Sequence, residues 1–178
     1  RELAEKVGID MEKVEIIHES DPKKAALKAV SLVHEGKASV LMKGLVSSAD
    51  FLRAVLNKEV GLRTGKTLSS VTVLKTEKMD RFVIMTDGGM NMYPTLEEKV
   101  HILENTVPVC KALEIEDPKA AAVCAVEVVN PAMQATLDAA TLAVMSQRGQ
   151  IKGITVDGPL GMDNALSEEA AKHKGITS

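Results

Sequence analysis

The sequence predicts an α/β fold in which short buried strands alternate with amphipathic helices. Apolar residues make up 45% of the 178 residues and aromatic residues only 2%, so Val, Leu, Ile, Ala and Met must form the core. Such a core suits parallel strands covered by helices. Apolar runs such as Ala38–Met42 and Ala120–Val126 are each followed by polar residues and then by apolar residues at helical spacing. This alternation is typical of βα units.

Two predicted strands and two predicted helices make up the N-terminal part of the chain. Val14–His18 is the first strand candidate, and Ala38–Met42 is a second strand that is apolar enough to be buried on both faces. Asp21 precedes a proline and an apolar stripe, so it is the predicted cap of the first helix. Ser47 or Ser48 is the predicted cap of the second helix. We therefore expect two consecutive βα units in a parallel sheet.

The polar, glycine-rich stretch Asn57–Thr67 predicts a hinge between two lobes, residues 1–66 and residues 67–178. Beyond the hinge, Ser70–Lys75 and Arg81–Thr86 flank a polar turn, which indicates a hairpin of antiparallel strands.

Two longer helices are predicted in the second lobe. Thr95 and Glu98 have the spacing of a capping box. Pro108 lies inside the same pattern and is expected to kink or split that helix. A further helix is expected to start at Asn130–Pro131 and to end near Gly149.

The stretch Ile154–Gly175 predicts a buried strand, a tight turn at Gly158–Pro159 and a helix capped by Asp163. Free backbone N–H groups gather where a strand leads into a helix, which makes such places common ligand sites in α/β proteins. The carboxylates of Asp157 and Asp163 and the amide of Asn164 could orient a polar ligand there. Two carboxylates without His or Cys are weak evidence for a metal, so no metal site is predicted.

Basic candidates lie in the first lobe. Lys43 and Gly44 follow a predicted strand, where the lysine supplies charge and the glycine allows close approach of a ligand. A surface lysine beside a structural glycine explains the same pattern. Gly61–Thr67 has three residues, not the four of a P-loop, before its Gly-Lys pair, so we interpret it as a hinge. Its Arg63 could still face an anionic ligand.

Asp87 and Asn91 follow a predicted strand, with two glycines between them. Both residue types cap turns through their side chains, which is one explanation. The other explanation, which we favour, is that they hold a ligand.

The composition limits the classes of partner. A net charge of −3 argues against nucleic acid or an anionic membrane as the main partner, and no apolar run approaches the roughly 18 residues of a membrane span. Cys110 and Cys124 lack disulfide spacing and are predicted core residues. They fit a reducing cytoplasm.

Three stretches resemble the phosphate acetyl/butyryltransferase family, and its butyryltransferase branch in particular. They are DGPLGMDNALSEEAAKHKG within Ile154–Gly175, LMKGL with SADFLRAVL over Leu41–Leu56, and DGGMN over Asp87–Asn91. Ser48, Asp50, Leu52 and Arg53 match a context in which the family's arginine contributes to binding the anionic acyl donor or phosphate.

The resemblance implies a two-lobed, isocitrate/isopropylmalate-dehydrogenase-like architecture, with central sheets flanked by helices and an interlobe cleft. It implies the reaction acyl-CoA + phosphate ⇌ acyl phosphate + CoA, without a metal or redox cofactor, in a homo-oligomer. The family's Ser-Arg…Asp cluster lies in a segment beyond the counterpart of Ser178. We therefore name no catalytic base, and expect these residues to be part of a longer protein and inactive alone.

Two other functions stay open. Metal- and NAD-dependent dehydrogenases share the lobed architecture, but they need a third acidic ligand and a nucleotide loop that we do not find. A non-catalytic acyl-CoA-binding regulatory domain is the second alternative.

Overall fold

The computed structural model describes residues 2–76 and 79–177, and the side chains of residues 3–75 and 79–177. The chain groups into two compact units, residues 1–65 (unit 1) and residues 66–178 (unit 2).

Unit 1 is helical. It contains α1 (Glu2–Lys6), a short 3₁₀ helix (Met11–Lys13), α2 (Pro22–His34) and α3 (Ser48–Val55). The Oδ1 atom of Asp21 accepts hydrogen bonds from the backbone N–H groups of Lys23 and Lys24, so the predicted cap of α2 is confirmed. α2 packs on α3 through a small core of Ala26, Val30 and Ala54.

The two strands predicted in unit 1 are absent from the structure of residues 2–65. Val14–His18 and Ala38–Met42 have no sheet pairing, so the expected parallel sheet of two βα units is wrong for this region. Ile16, Val40 and Met42 are 53%, 82% and 90% exposed. An apolar run favours burial, but only hydrogen bonds to a neighbouring strand make it a strand.

Unit 2 begins with the predicted hairpin. β1 (Thr72–Thr76) pairs antiparallel with β2 (Met79–Met85), with Thr72 opposite Met85. The prediction of antiparallel strands after the hinge is therefore confirmed.

α4 (Leu96–Ala112) begins at the predicted capping box. The hydroxyl of Thr95 accepts from the Glu98 backbone, and the Glu98 carboxylate accepts from the Thr95 backbone. Pro108 lies inside α4 without splitting it. A proline near a helix end removes one backbone hydrogen bond, and the remaining bonds keep this helix continuous.

A parallel strand pair forms the centre of unit 2. β3 (Lys119–Val123) is followed by α5 (Gln134–Gln147) and then by β4 (Thr155–Leu160), with Lys119 opposite Thr155. Their core contains Leu142, Ile151 and Val156, with half-buried side chains of α4 packed against it. α5 begins at Gln134 and not at Asn130–Pro131, because the Asn130 side chain accepts from the Ala132 backbone and forms a turn before the helix.

Two predictions for the last stretch are corrected. Gly158–Pro159 lies inside β4 and not in a turn after it. The pairing register shifts opposite this point, and an irregularity of this kind admits a proline into a strand. The single predicted helix is two short helices, α6 (Met162–Leu166) and α7 (Glu168–His173).

Asp163 does not cap a helix. The N-cap of α6 is Gly161, and Asp163 lies in the first turn. Ser167 caps α7 by accepting a hydrogen bond from the Ala170 backbone. Among the described residues, none of the helices is both long and apolar enough to span a bilayer.

Candidate functional site

The carboxyl ends of β3 and β4 meet at one edge of unit 2, because the two strands are parallel. The backbone N–H of Cys124, just after β3, donates to the carbonyl oxygen of Leu160 at the end of β4, at 2.8 Å. β4 then leads into the turn Gly161–Asn164, and β3 leads into a segment that contains Glu127. This is the position at which open α/β sheets bind ligands.

The turn from Gly161 to Asn164 is closely packed against the segment that follows β3. A Cβ atom on Gly161 would lie 2.8 Å from Asp163 Oδ1, 3.4 Å from Asn164 Oδ1 and 3.6 Å from Glu127 Oε2. A larger residue at position 161 would therefore displace polar side chains, so glycine keeps this turn compact.

A lysine connects the two segments. Lys174 Nζ lies 3.0 Å from Asp163 Oδ2 and 3.4 Å from Glu127 Oε2. The hydrogen bond from Lys174, together with that from the Asn164 backbone, lowers the pKa of Asp163. The same contact with Asp163 raises the pKa of Lys174, so both groups are held in their charged forms.

Asn164 is the anomalous residue of this turn. The residue is 6% exposed, and neither its Nδ2 nor its Oδ1 atom has a hydrogen-bond partner among the described residues. Buried amides are almost always hydrogen-bonded, because an unpaired buried donor or acceptor is costly. The Asn164 side chain therefore has an unpaired donor, Nδ2, and an unpaired acceptor, Oδ1.

Asp157, Gly158 and Pro159 lie at the end of β4, before this turn. Asp157 is half-buried, and its Oδ1 accepts from the Gly158 backbone at 2.8 Å. A Cβ atom on Gly158 would lie 2.8 Å from the Ala122 Cβ, so a glycine lets β3 and β4 approach closely here.

A second polar turn follows β2. Both carboxylate oxygens of Asp87 accept hydrogen bonds. Oδ1 accepts from Ser70 Oγ at 2.5 Å and from the Met90 backbone N–H at 3.1 Å. Oδ2 accepts from the Asn91 backbone N–H at 3.0 Å and from Asn91 Nδ2 at 2.5 Å. The Asn91 amide also donates to the Leu68 carbonyl at 2.9 Å. Burial raises the pKa of Asp87, but these donated hydrogen bonds outweigh it and hold the pKa far below its ordinary value.

The candidates in unit 1 are more exposed. Lys43 Nζ donates to the Val46 carbonyl at 3.3 Å. A Cβ atom on Gly44 would meet no atom within 4 Å, so the fold of unit 1 does not itself require glycine there. Ser47 caps α3 through the Asp50 backbone, and Ser48 is the first residue of the helix.

Arg53 and Arg63 also lie on the surface of unit 1. Arg53 forms an ion pair with Asp50 one turn earlier, and its side chain is 68% exposed. Arg63 is exposed. Neither guanidinium is buried, so both can reach a ligand in solution.

The family of this chain follows from comparison with known proteins. The sequence pattern of the family described as "Phosphate acetyl/butaryl transferase" matches residues 1–178. The chain belongs to this family. The resemblance of the three motifs is thus confirmed.

Relatives and a solved structure agree with this membership. The chain is 61% identical over 175 residues to the phosphate butyryltransferase of Clostridium acetobutylicum, covering 98% of this chain and 58% of that protein. It is 48% identical over 157 residues to the phosphate acetyltransferase of Thermotoga maritima, covering 88% and 53%. The crystal structure of a branched-chain phosphotransacylase from Enterococcus faecalis V583 matches with a TM-score of 0.78 at 32% identity, covering 96% of this chain and 61% of that one.

This structural match confirms the predicted α/β class. The chain spans less than two thirds of the length of these proteins.

Within this family member, the predicted site residues fall into three groups. Asp157, Gly158, Pro159, Asp163 and Asn164 lie together at the carboxyl edge of β4, and Asp87 lies with Asn91 in the turn after β2. The remaining candidates lie in unit 1, namely Lys43, Gly44, Ser48, Arg53 and Arg63. Among the described residues, no cluster of three or more His, Cys, Asp or Glu side chains could hold a metal ion.

Sequence reasoning missed Glu127 and Lys174. Glu127 follows β3 in the chain, so the rule that ligand sites lie beyond the carboxyl ends of parallel strands could have found it. Lys174 lies just after the last turn of α7, where a cation is ordinarily explained by the helix dipole. Its pairing with a residue 47 positions earlier has no local sequence signal.

Proposed function

We propose that the protein transfers a short acyl group, of the butyryl type, between CoA and inorganic phosphate. The observation that carries this proposal is the 61% identity to the Clostridium acetobutylicum phosphate butyryltransferase over 98% of the chain. The phosphate acetyltransferase of Thermotoga maritima is less similar, at 48% identity over 88% of the chain. The comparison therefore favours butyryl over acetyl groups.

In this reaction a phosphate oxygen attacks the carbonyl carbon of the thioester. A carbon–oxygen bond forms, the carbon–sulfur bond breaks, and the sulfur leaves as the thiolate of CoA. Both substrates are anions, so the site must offset their repulsion before the reacting atoms can meet. Lys43, Arg53 and Arg63 are the cationic groups that we assign to this role. The oxidation states of the reactants do not change, so the reaction needs no redox cofactor.

We assign substrate orientation to the turn after β4. The unpaired donor and acceptor of Asn164 support this assignment, because a ligand could satisfy both after a small opening of the turn. Asp163 lies in the same turn, and Asp157, Gly158 and Pro159 precede it in β4, so we assign them to the same site. Lys174 and Glu127 would hold the turn in place. Ser48 and Gly44 would position the phosphate in unit 1. Asp87 and Asn91 would contribute indirectly, by fixing the shape of their turn through the hydrogen bonds between them.

The same proposal includes the architecture that the sequence resemblance implies. We propose that residues 1–66 and 67–178 belong to the two lobes of an isocitrate/isopropylmalate-dehydrogenase-like fold with an interlobe cleft. The grouping of the chain into two compact units supports it. We further propose a cytoplasmic homo-oligomer, with acyl-CoA and phosphate as its small-molecule partners.

A thiol-release assay tests the activity of the full-length protein. We expect CoA release from butyryl-CoA that depends on added phosphate, and slower release from acetyl-CoA. An acyl-CoA that is hydrolysed equally without phosphate would contradict the transfer reaction. A complete lack of phosphate-dependent release from any short acyl-CoA would leave the binding-module alternative as the better explanation.

A further inference from the structure

Residues 66–70, at the start of unit 2, connect α4 with the turn after β2, and we call them the α4 strap. Two side chains of α4 hold the first part of the strap. The Asn105 Nδ2 atom donates to the Thr67 carbonyl at 2.8 Å. The Glu104 carboxylate forms an ion pair with Lys66 at 2.7 Å. The position of the strap therefore depends on polar contacts with α4.

The second part of the strap contacts the turn after β2. The Leu68 carbonyl accepts from the Asn91 side-chain amide at 2.9 Å. The Ser70 hydroxyl donates to the Asp87 carboxylate, and the Ser70 carbonyl accepts from the Thr86 hydroxyl at 2.7 Å. A change in the attachment of the strap to α4 can therefore reach this turn.

A third side chain of α4 holds the strap through a contact that depends on protonation. The backbone N–H of Thr67 donates to His101 Nδ1 at 3.3 Å, and Thr67 Oγ1 lies 3.2 Å from the same nitrogen. A backbone N–H can only donate, so His101 Nδ1 must be the acceptor and carry no proton. The half-buried ring is therefore in its neutral form, with its proton on Nε2.

Protonation changes His101 Nδ1 from an acceptor into a donor. The new N–H can still donate to Thr67 Oγ1, but the backbone N–H of Thr67 then has no acceptor at this nitrogen. A backbone donor that loses its partner destabilises the arrangement that holds it. Histidine side chains ordinarily change charge between about pH 5 and pH 8, so mild acid is sufficient for this change.

The charged groups around His101 keep their charge over this pH range. The pKa of Glu104 is lowered, first by its hydrogen bond from Lys66, and the Lys152 backbone also donates to this carboxylate. The pKa of Glu98 is lowered, first by the backbone N–H at the cap of α4. Both carboxylates interact electrostatically with His101, so a protonated ring has counter-charges beside it. The ion pair between Glu104 and Lys66 therefore persists while His101 changes.

His34 in unit 1 provides the opposite case. Its Nδ1 atom lies 3.2 Å from the carbonyl oxygen of Gly61. A carbonyl oxygen can only accept, so Nδ1 of His34 carries a proton whether the ring is neutral or charged. Acid therefore preserves the contact of His34 and removes the one that His101 makes with the Thr67 backbone.

We propose that His101 is a pH-sensitive latch, whose protonation at Nδ1 loosens the α4 strap from α4. The inference goes beyond the proposed function and does not depend on it. The contacts of Asn105 and Glu104 remain, so the strap becomes more mobile without unfolding. The loosening extends to the turn of Asp87 and Asn91, because these two residues bond to the strap.

The first test determines which nitrogen of each ring carries the proton. Imidazole ¹⁵N NMR of the full-length protein at pH 8 should show His101 with its proton on Nε2 and His34 with its proton on Nδ1. A neutral His101 ring with its proton on Nδ1 would overturn the proposal, because that nitrogen could not accept from Thr67.

The second test is backbone hydrogen exchange of the full-length protein at pH 8 and pH 5.5, with rates corrected for the intrinsic effect of pH. Protection of residues 66–70 should fall about fivefold at pH 5.5, which corresponds to roughly 1 kcal/mol, the net contribution of one hydrogen bond. Residues 87–91 should show a smaller loss of protection. Equal protection of residues 66–70 at both pH values would overturn the latch.

Three variants assign the pH response to one ring. His101→Gln supplies an acceptor that does not titrate, so protection of the strap should not depend on pH. His101→Lys has a charge and no acceptor, so protection should be low at both pH values. His34→Gln is the matched control and should keep the full response. A full response in His101→Gln, or its loss in His34→Gln, would overturn the proposal even if His101→Lys does not fold.

Discussion

Two turns of unit 2 each place an aspartate and an asparagine just after a β-strand, yet their hydrogen bonding is opposite. In the turn after β2, Asp87 accepts from Ser70, Asn91 and the intervening backbone, and Asn91 also donates to Leu68. In the turn after β4, the Asn164 amide is buried with no partner among the described residues. In the first turn the polar side chains hydrogen-bond within the turn and fix its shape. In the second turn the side-chain amide of Asn164 is unpaired.

Residue type alone therefore does not distinguish a turn whose polar groups stabilise the fold from a turn whose polar groups can bind a ligand. The distinction depends on whether donors and acceptors are satisfied within the fold. It leads to predictions about stability for the first turn and about activity for the second.

The largest effect on folding is expected for Asp87→Ala. The substitution leaves the hydroxyl of Ser70, the amide of Asn91 and several backbone N–H groups without their acceptor. Unpaired polar groups cost about 1–3 kcal/mol each, and solvent access to this turn reduces the sum, so we expect the free energy of unfolding to fall by about 3 kcal/mol. Urea unfolding measures it. Asp80→Ala, at an exposed position of β2, is the control and should change the free energy of unfolding little. Equal losses of stability in both variants would contradict the stabilising role of the hydrogen bonds to Asp87.

The second prediction contrasts the two asparagines. Asn91→Leu should destabilise the fold by about 1–3 kcal/mol, because it removes bonds that are formed. Asn164→Leu should be neutral or stabilising, because an apolar side chain of similar size replaces unpaired polar atoms. Activity with butyryl-CoA should nevertheless fall in Asn164→Leu. If Asn164→Leu lowers the thermal midpoint as much as Asn91→Leu does, the amide of Asn164 has a partner in the folded protein.

The third prediction concerns acid. The pKa of Asp87 in the folded protein lies far below its ordinary value of 3.8. A lowered carboxylate pKa stabilises the fold fully above the unfolded pKa, and this stabilisation is lost progressively as the pH falls from the unfolded pKa to the folded pKa. Between about pH 5 and pH 3 the free energy of unfolding should therefore drop more steeply in the unsubstituted protein than in Asp87→Asn. Parallel curves would mean that Asp87 is not the group concerned.

A smaller effect is expected for Lys174→Met. The pKa of Asp163 should rise towards its ordinary value, because the hydrogen bond from Lys174 is the largest cause of its lowering. Carboxyl NMR titration measures this shift. Lys172→Met, which breaks the exposed pair with Glu168, is the matched control and should leave the pKa of Asp163 unchanged. An unchanged pKa in Lys174→Met would show that the two side chains do not meet in solution.

The smallest effect is expected from chelation. If the turn after β4 orients substrate through its own polar groups, the activity of the full-length enzyme should survive prolonged EDTA treatment. Loss of activity that magnesium or manganese restores would assign Asp157 and Asp163 to a metal. That outcome would favour the dehydrogenase-like alternative.

The features that could be predicted from the sequence depend on residues that are close together along the chain. Three such features are the cap at Asp21, the capping box of Thr95 and Glu98, and the hairpin of β1 and β2. Their partners are close along the chain, so the residue pattern alone predicts them. The family was equally visible, because its motifs are contiguous stretches. The helix at Asp163 was misassigned because aspartate favours a cap and a first turn alike.

The other features depend on contacts between residues that are far apart in the chain. Val14–His18 and Ala38–Met42 have the composition of strands, but a strand exists only where a second strand satisfies its backbone. The pairing of Lys174 with Glu127 and Asp163 joins positions far apart in the chain. The lack of a hydrogen-bond partner for the Asn164 amide among the described residues is set by its neighbours in space, not by its neighbours in the sequence. Whether a polar group has a hydrogen-bond partner depends on its neighbours in three dimensions. A sequence can therefore identify candidate polar groups for a site, but it cannot show which of them remain unpaired.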